Sequence, residues 1–173
     1  MKFWRFLQRG ASGWSLFFYL FIVWAVCFAY GVFSEKFVLL VLKGDLYILY
    51  GQSFLAYIRK INILVFIFFN ATMEEFLFRC LPVFIALHSK KNQARHLVAW
   101  GIFSSFFMFS FAHGSVLNMC IQGLVGIVWF LLYLKCGGLQ GNHLKAVIAT
   151  GTVHGFYNLS LITTGYLFPN FFK

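Results

Sequence analysis

The sequence has few charged residues and very few acidic ones. Of its 173 residues only four are Asp or Glu, only 10% are charged and only two are Pro. A soluble domain carries about 25% charged residues, so this chain could not cover its own surface in water. The composition is instead 61% hydrophobic, with a mean hydropathy of +0.82. These values exclude an ordinary soluble domain and indicate a polytopic membrane protein.

The common metal and redox motifs are also absent. Cys27, Cys80, Cys120 and Cys136 lie far apart and form no CxxC pair, which is typical of buried thiols and not of a zinc knuckle or a disulfide framework. The sequence contains no HExxH motif, so a zincin arrangement is excluded. The net charge of +10 comes from short basic clusters between apolar runs. That pattern indicates membrane topology and lipid-headgroup contact, not nucleic-acid binding.

The apolar runs predict an all-α, polytopic membrane helical bundle with five spans. In chain order these spans are residues 13–33, 61–88, 97–113, 116–134 and 144–166. Basic residues precede the first span and follow the second, which places the amino terminus and that loop in the cytoplasm.

The segment between the first two spans is ambiguous. Charged residues and glycines interrupt the apolar stretches of residues 37–58, so an interfacial or re-entrant segment is predicted there, with a sixth span as the alternative. We interpret residues 1–173 as one integral-membrane domain. In it, residues 1–60 supply the first span and this segment, and residues 61–167 form a catalytic helix core.

The predicted second span carries ionisable residues that an ordinary span does not need. Glu74, Glu75 and Arg79 lie within it, and each ionisable side chain near the centre of a span costs on the order of 3 kcal/mol. Glu75 and Arg79 are four residues apart, so they could form an intrahelical ion pair. Glu74 points elsewhere, because a helix turns about 100° per residue. It must find a partner on another helix, hold a proton or contact water in a cavity.

Two later spans carry further polar residues. His113 ends the third predicted span, and His154 and Asn158 lie four apart on one face of the last. Each alone is more often a packing residue, but together with the glutamate pair they indicate a shared site. At about 1.5 Å per residue from the cytoplasmic ends, Glu74, His113 and His154 lie within about two helical turns of one depth.

Such a cavity could hydrolyse a peptide bond in two ways. In the first, a carboxylate acts as general base towards water, and hydrogen-bond donors stabilise the developing oxyanion. In the second, His113, His154 and either Glu74 or Glu75 bind zinc, because two histidines and a glutamate form a known catalytic ligand set. The residues alone leave both open.

These residues resemble three motifs that occur in the same order in one protein family. They are Glu74, Glu75 and Arg79 for EExxxR, Phe109 and His113 for FxxxH, and His154 and Asn158 for HxxxN. The sequence is therefore similar to the CAAX-protease and bacteriocin-processing (CPBP) family of intramembrane endopeptidases. The motif-bearing helices cover roughly residues 61–166.

The resemblance implies a role for each matching residue. Glu74 and His113 would activate water, while His154 and Asn158 would stabilise the oxyanion. Glu75, Arg79 and Phe109 would support the site. A metal-free glutamic protease mechanism is favoured. Zinc held by the two histidines and the two glutamates is the alternative.

The chain is shorter than the larger members of that family, which weighs against cleavage of prenylated CAAX substrates. We expect a bacterial enzyme of the inner (cytoplasmic) membrane that processes an exported or tail-anchored peptide or protein. Its partners would be a membrane-associated substrate and the lipid bilayer, with no nucleic acid. A non-enzymatic membrane adaptor or bacteriocin-immunity protein is the alternative function.

Overall fold

The computed structural model describes residues 2–42, 63–88, 93–112 and 119–167. Within these ranges the chain forms six helices and no strand, which confirms the predicted all-α class. They are α1 (Lys2–Gln8), α2 (Gly13–Leu42), α3 (63–88), α4 (93–112), α5 (119–135) and α6 (His143–Leu167). A single 3-10 turn, Gly138–Gln140, joins α5 to α6.

The first predicted span lies in the longest apolar helix among the described residues. Among the described helices, only the Gly13–Ser34 part of α2 is both long and apolar enough to cross a membrane, with a mean hydropathy of 2.3. Helices α4 and α5 contain the shorter apolar stretches Ala99–Ala112 and Ile121–Lys135. Helices α3 and α6 are each about 38 Å long at 1.5 Å per residue, although both carry polar residues. The other four predicted spans thus coincide with helices, apart from residues 61, 62, 113 and 116–118, which lie outside the described ranges.

Helix α2 is longer than the predicted first span. It continues from residue 33 to Leu42, because residues 34–42 contain neither Gly nor Pro to end the helix. Residues 37–42, the start of the predicted interfacial or re-entrant segment, therefore belong to α2. The remainder of that segment, residues 43–58, lies outside the described residues.

Helix α3 changes its hydrogen-bonding pattern next to the glutamate pair. It is α-helical over Ile63–Glu75, π-helical over Phe76–Cys80 and α-helical again over Leu81–His88. Pro82 has no N–H, so the carbonyl of Phe78 loses the partner it would have in a regular α-helix. The Ser105 hydroxyl of α4 donates to this carbonyl at 3.4 Å. Next to Pro82, α3 thus contains a π-helical turn, a feature frequent at functional sites.

Glycines let α6 approach α3 closely. A Cβ at Gly151 would lie 2.7 Å from Thr72 Oγ1 and 2.9 Å from Thr72 Cα, and a Cβ at Gly155 would lie 2.5 Å from the ring of Phe68. Such spacing of small residues is typical of close helix contacts in membranes. His154 lies between these two glycines and is thereby brought against α3.

We expect Gly151→Ala to push α6 away from α3. The added methyl group meets backbone as well as side chain at Thr72, and overpacking of this kind typically costs about 1–3 kcal/mol. The measurement is the thermal midpoint of the purified protein in detergent. Gly10→Ala is the control, because its Cβ would meet only the end of the Gln140 side chain, at 3.3 Å. Equal midpoints for both variants would show that the close approach at Gly151 does not contribute to stability.

The bundle is held at one end by contacts between α1 and the turn after α5. Lys135 is buried, and its Nζ donates to the carbonyls of Phe6 at 2.6 Å and Arg9 at 3.2 Å. Gln140 Nε2 donates to the carbonyl of Gln8 at 2.7 Å. These bonds satisfy the carbonyls at the carboxyl end of α1, which a helix leaves unpaired. The short amino-terminal helix is thereby fixed against the end of α5 and the turn that follows it.

The cysteines agree with the prediction of buried thiols. Cys27, Cys80 and Cys136 are free and buried. The side chain of Cys120 lies outside the described part of the chain. Burial raises the pKa of the Cys136 thiol, which lies just beyond the end of α5, to about 12. Cys136 is therefore an unreactive packing residue at neutral pH.

Candidate active site

One imidazole joins the two adjacent glutamates of α3 to α6. Nδ1 of His154 lies 3.0 Å from Glu75 Oε1, within hydrogen-bond distance. Nε2 of the same ring lies 3.6 Å from Glu74 Oε2. These contacts join residues 79 and 80 positions apart in the sequence, on helices predicted to face one cavity. The structure therefore brings Glu74, Glu75 and His154 together.

The predicted ion pair between Glu75 and Arg79 is present and fully buried. Arg79 NH1 lies 3.6 Å from Glu75 Oε1, and neither side chain is exposed. The Arg79 guanidinium also lies over the Phe109 ring, 4.2 Å from its centroid, which is a favourable cation–π distance. Charge and this aromatic ring hold Arg79, since its nitrogens have no hydrogen-bond partner among the described residues.

Glu74 differs from Glu75 in both exposure and partners. Its side chain is 16% exposed, whereas that of Glu75 is fully buried. Asn70, one turn earlier on α3, donates from Nδ2 to Glu74 Oε1 at 2.7 Å. Oε2 of Glu74 has no hydrogen-bond partner within the described residues, and its 3.6 Å separation from His154 Nε2 is too long for a hydrogen bond. Glu74 Oε2 is itself buried, so it is an acceptor without a hydrogen bond that faces His154, whereas the exposed part of the Glu74 side chain lies elsewhere.

Aromatic side chains fix the orientation of His154. The indole of Trp129 on α5 stacks on the imidazole, with centroids 5.2 Å apart and planes 17° apart. Phe109 of α4 meets the same ring edge-on at 6.0 Å, and Tyr157 lies 6.2 Å away. Because His154 is itself almost completely buried, its ring can turn little without moving these neighbours.

Three further residues were predicted to belong to the site: Asn158, His113 and Phe109. Asn158 lies one turn after His154 on α6 and is partly buried. His113, the last residue of the FxxxH motif, lies outside the described residues. Phe109, the described residue of that motif, is fully buried against Arg79 and His154.

The described residues do not by themselves fit a zinc ion. No three His, Cys, Asp or Glu side chains in the described ranges are arranged to hold a metal. The cationic Arg79 lies beside Glu75, and one oxygen of Glu74 accepts a hydrogen bond from Asn70. A divalent cation at these carboxylates would have to compete with both interactions.

The sequence predictions missed four residues that shape the site. They are Asn70, Trp129, Gly151 and Gly155. Asn70 could have been found from its spacing of four residues before Glu74, and the glycine pair from its small-xxx-small spacing. Nothing in the sequence marks Trp129, because its contact with His154 depends on how α5 packs against α6.

A comparison with models of protein families finds a match to the region of the chain that contains the site. The family model described as type II CAAX prenyl endopeptidase Rce1-like matches residues 59–160, which is well over half of the chain. The matched range contains all three motifs and confirms the resemblance drawn from them. Among curated proteins and among solved structures, no significant match was found.

Proposed function

The chain belongs to the type II CAAX prenyl endopeptidase Rce1-like family, and from this premise we propose that Glu74 activates water to hydrolyse a peptide bond within the membrane. One observation carries the proposal. Glu74 is the partly exposed member of the pair, and its Oε2 is a buried oxygen that has no hydrogen-bond partner in the described ranges and lies 3.6 Å from His154 Nε2. The 3.6 Å gap is too short to hold an oxygen between these two atoms, so a water molecule or a substrate oxygen that contacts both would lie beside them.

The charges of the cluster support this role. Arg79 offsets the charge of Glu75, and the proposed mechanism uses the doubly protonated form of His154. A protonated imidazole donates from both ring nitrogens. Nδ1 then donates to Glu75 at 3.0 Å, which leaves the Nε2–H available to an oxygen beside Glu74. This is the kind of donor that stabilises a developing oxyanion.

The reaction would proceed by addition and then elimination. Glu74 takes a proton from water as the water oxygen bonds to the carbonyl carbon, and the carbonyl π electrons move to the oxygen. Nε2 of His154 and the amide of Asn158 donate to that oxyanion. The C–N bond then breaks and the leaving nitrogen receives the proton, with His113 assisting the transfers. Glu75, Arg79 and Phe109 hold His154 in place.

The substrate would be a membrane-associated peptide or protein. We favour an exported peptide, a bacteriocin precursor or a protein with a carboxyl-terminal sorting tail in a bacterial inner membrane. Exposed Arg5 in α1 and Arg9 just after it favour a cytoplasmic amino terminus. With that orientation Glu74 lies about 21 Å along α3 from His88 and about 17 Å from Ile63. The site is thus somewhat nearer the non-cytoplasmic face.

Reconstitution with a panel of membrane-anchored peptides tests the proposed activity. The panel would include a prenylated CAAX peptide and peptides with a transmembrane tail, and mass spectrometry would identify the products. We expect a defined cleavage product from at least one peptide. A folded protein that cleaves none of them, while Glu74→Gln still supports a resistance phenotype in cells, would favour the adaptor or immunity function instead.

Metal removal tests the favoured mechanism. We expect the purified protein to contain far less than one zinc ion per chain and to keep its rate after treatment with EDTA, because the carboxylates are already paired with Arg79, Asn70 and His154. Elemental analysis and the cleavage rate are the measurements. About one zinc per chain, with activity lost on chelation and restored by zinc, would overturn the metal-free mechanism.

A further inference from the structure

Asn70 is a polar residue on an otherwise apolar exposed surface of α3. Its exposed neighbours on this helix include Phe69, Met73 and Leu77, and Asn70 itself is exposed. An amide in contact with hydrocarbon is unfavourable unless its polar groups have partners. The partner of Asn70 Nδ2 is Glu74 Oε1, at 2.7 Å. The Asn70 amide therefore lies between the exposed surface of α3 and the Glu74 carboxylate.

We infer that Asn70 is a positioning residue that selects which oxygen of Glu74 reacts. The inference rests on the proposed function of Glu74. The hydrogen bond from Asn70 occupies Oε1, and the carboxylate plane is then fixed so that Oε2 faces His154 Nε2 at 3.6 Å. Without the Asn70 amide, the Glu74 carboxylate can rotate about its Cγ–Cδ bond, and neither oxygen is held towards His154 Nε2.

A purely structural role for this bond would have different consequences. A side-chain pair one turn apart on an exposed helix face contributes only about 0.2–0.5 kcal/mol to stability. Misplacement of a reacting group by about 1 Å can lower a rate by about 100-fold. Loss of the Asn70 amide should therefore affect the chemical step far more than it affects folding.

The test compares Asn70→Ala, Asn70→Asp and Asn70→Gln with the control Thr152→Ala. Thr152 is also polar and exposed, but its hydroxyl donates to the carbonyl of Ile148 in its own helix. We expect Asn70→Ala to lower kcat by about 10- to 100-fold, with KM and the thermal midpoint nearly unchanged. Asn70→Asp should be slower still, because it replaces the donor with a second negative charge. Asn70→Gln keeps the amide and should recover part of the rate.

Infrared spectroscopy tests the contact between Asn70 and Glu74 without depending on cleavage of a substrate. The infrared carboxylate band of Glu74 is obtained as the difference between wild type and Glu74→Gln. We expect that band to shift in Asn70→Ala and to stay in place in Thr152→Ala. If the Glu74 band shifts in Asn70→Ala but the wild-type protein cleaves no peptide, the contact between Asn70 and Glu74 is supported and the proposed function is overturned. An unshifted band, a kcat within twofold of wild type, or a change confined to KM would overturn the positioning role.

Discussion

Glu74→Gln is expected to lower kcat by about 1,000-fold, within the range of about 100- to 10,000-fold that general acid–base groups contribute. Glutamine has nearly the same shape as glutamate and can still accept the hydrogen bond from Asn70 at Oε1. It cannot take a proton from water at the position of Oε2. Because Glu74 is partly exposed and is not part of the buried ion pair, the fold should be retained. Single-turnover cleavage in proteoliposomes and circular dichroism are the measurements.

The control for this variant is Glu35→Gln, which removes the same charge near the end of α2 and outside the three motifs. Glu35→Gln should cleave at the wild-type rate. If Glu74→Gln cleaved as fast as this control, Glu74 would not be the base, and Glu75 would have to be reconsidered despite its complete burial.

Arg79→Met is expected to destabilise the protein by about 3–5 kcal/mol, the usual cost of removing one partner from a buried ion pair. Both Arg79 and Glu75 are inaccessible, so the variant would leave the Glu75 carboxylate without its cation. The loss of the guanidinium from the face of Phe109 adds to this effect. Unfolding of the purified protein in mixed micelles with increasing denaturing detergent would measure the free-energy change.

The double variant Glu75→Gln with Arg79→Met separates stability from activity. Removing both charges leaves no uncompensated ion, so most of the lost stability should return. Activity should stay low, because the carboxylate that lies 3.0 Å from His154 Nδ1 is gone. A single Arg79→Met variant as stable as wild type would show that the pair is not needed for folding.

The parts of the site that could be predicted are those that depend on local spacing. Glu75 and Arg79 are one helical turn apart, so their pairing follows from the sequence. Glu74 was expected to find a partner on another helix, to hold a proton or to contact water. Its hydrogen-bond partner in the structure is Asn70 on the same helix, and His154 of α6 lies 3.6 Å from its other oxygen. The all-α class and the approximate helix limits follow from the length of the apolar runs.

The features that could not be predicted depend on packing between helices. The stacking of Trp129 on His154 requires the placement of α5 beside α6. The π-helical turn at Phe76–Cys80 lies beside Pro82, and a hydroxyl from α4 donates to its Phe78 carbonyl, a contact that only the packing of the helices reveals. The extension of α2 to Leu42, by contrast, was missed although residues 34–42 contain neither Gly nor Pro to end the helix.

Hydrolysis at Glu74 is most directly tested by running the proteoliposome reaction in water enriched in ¹⁸O and analysing both fragments by mass spectrometry. Attack by water on the peptide carbonyl places one solvent oxygen in the new carboxyl group of the amino-terminal fragment. We expect that fragment, carrying one ¹⁸O atom, from the wild type and from Glu35→Gln, and about 1,000-fold slower formation of it by Glu74→Gln. A labelled fragment formed at the same rate by Glu74→Gln, or no fragment from a folded wild-type protein with any peptide of the panel, would contradict the proposed mechanism.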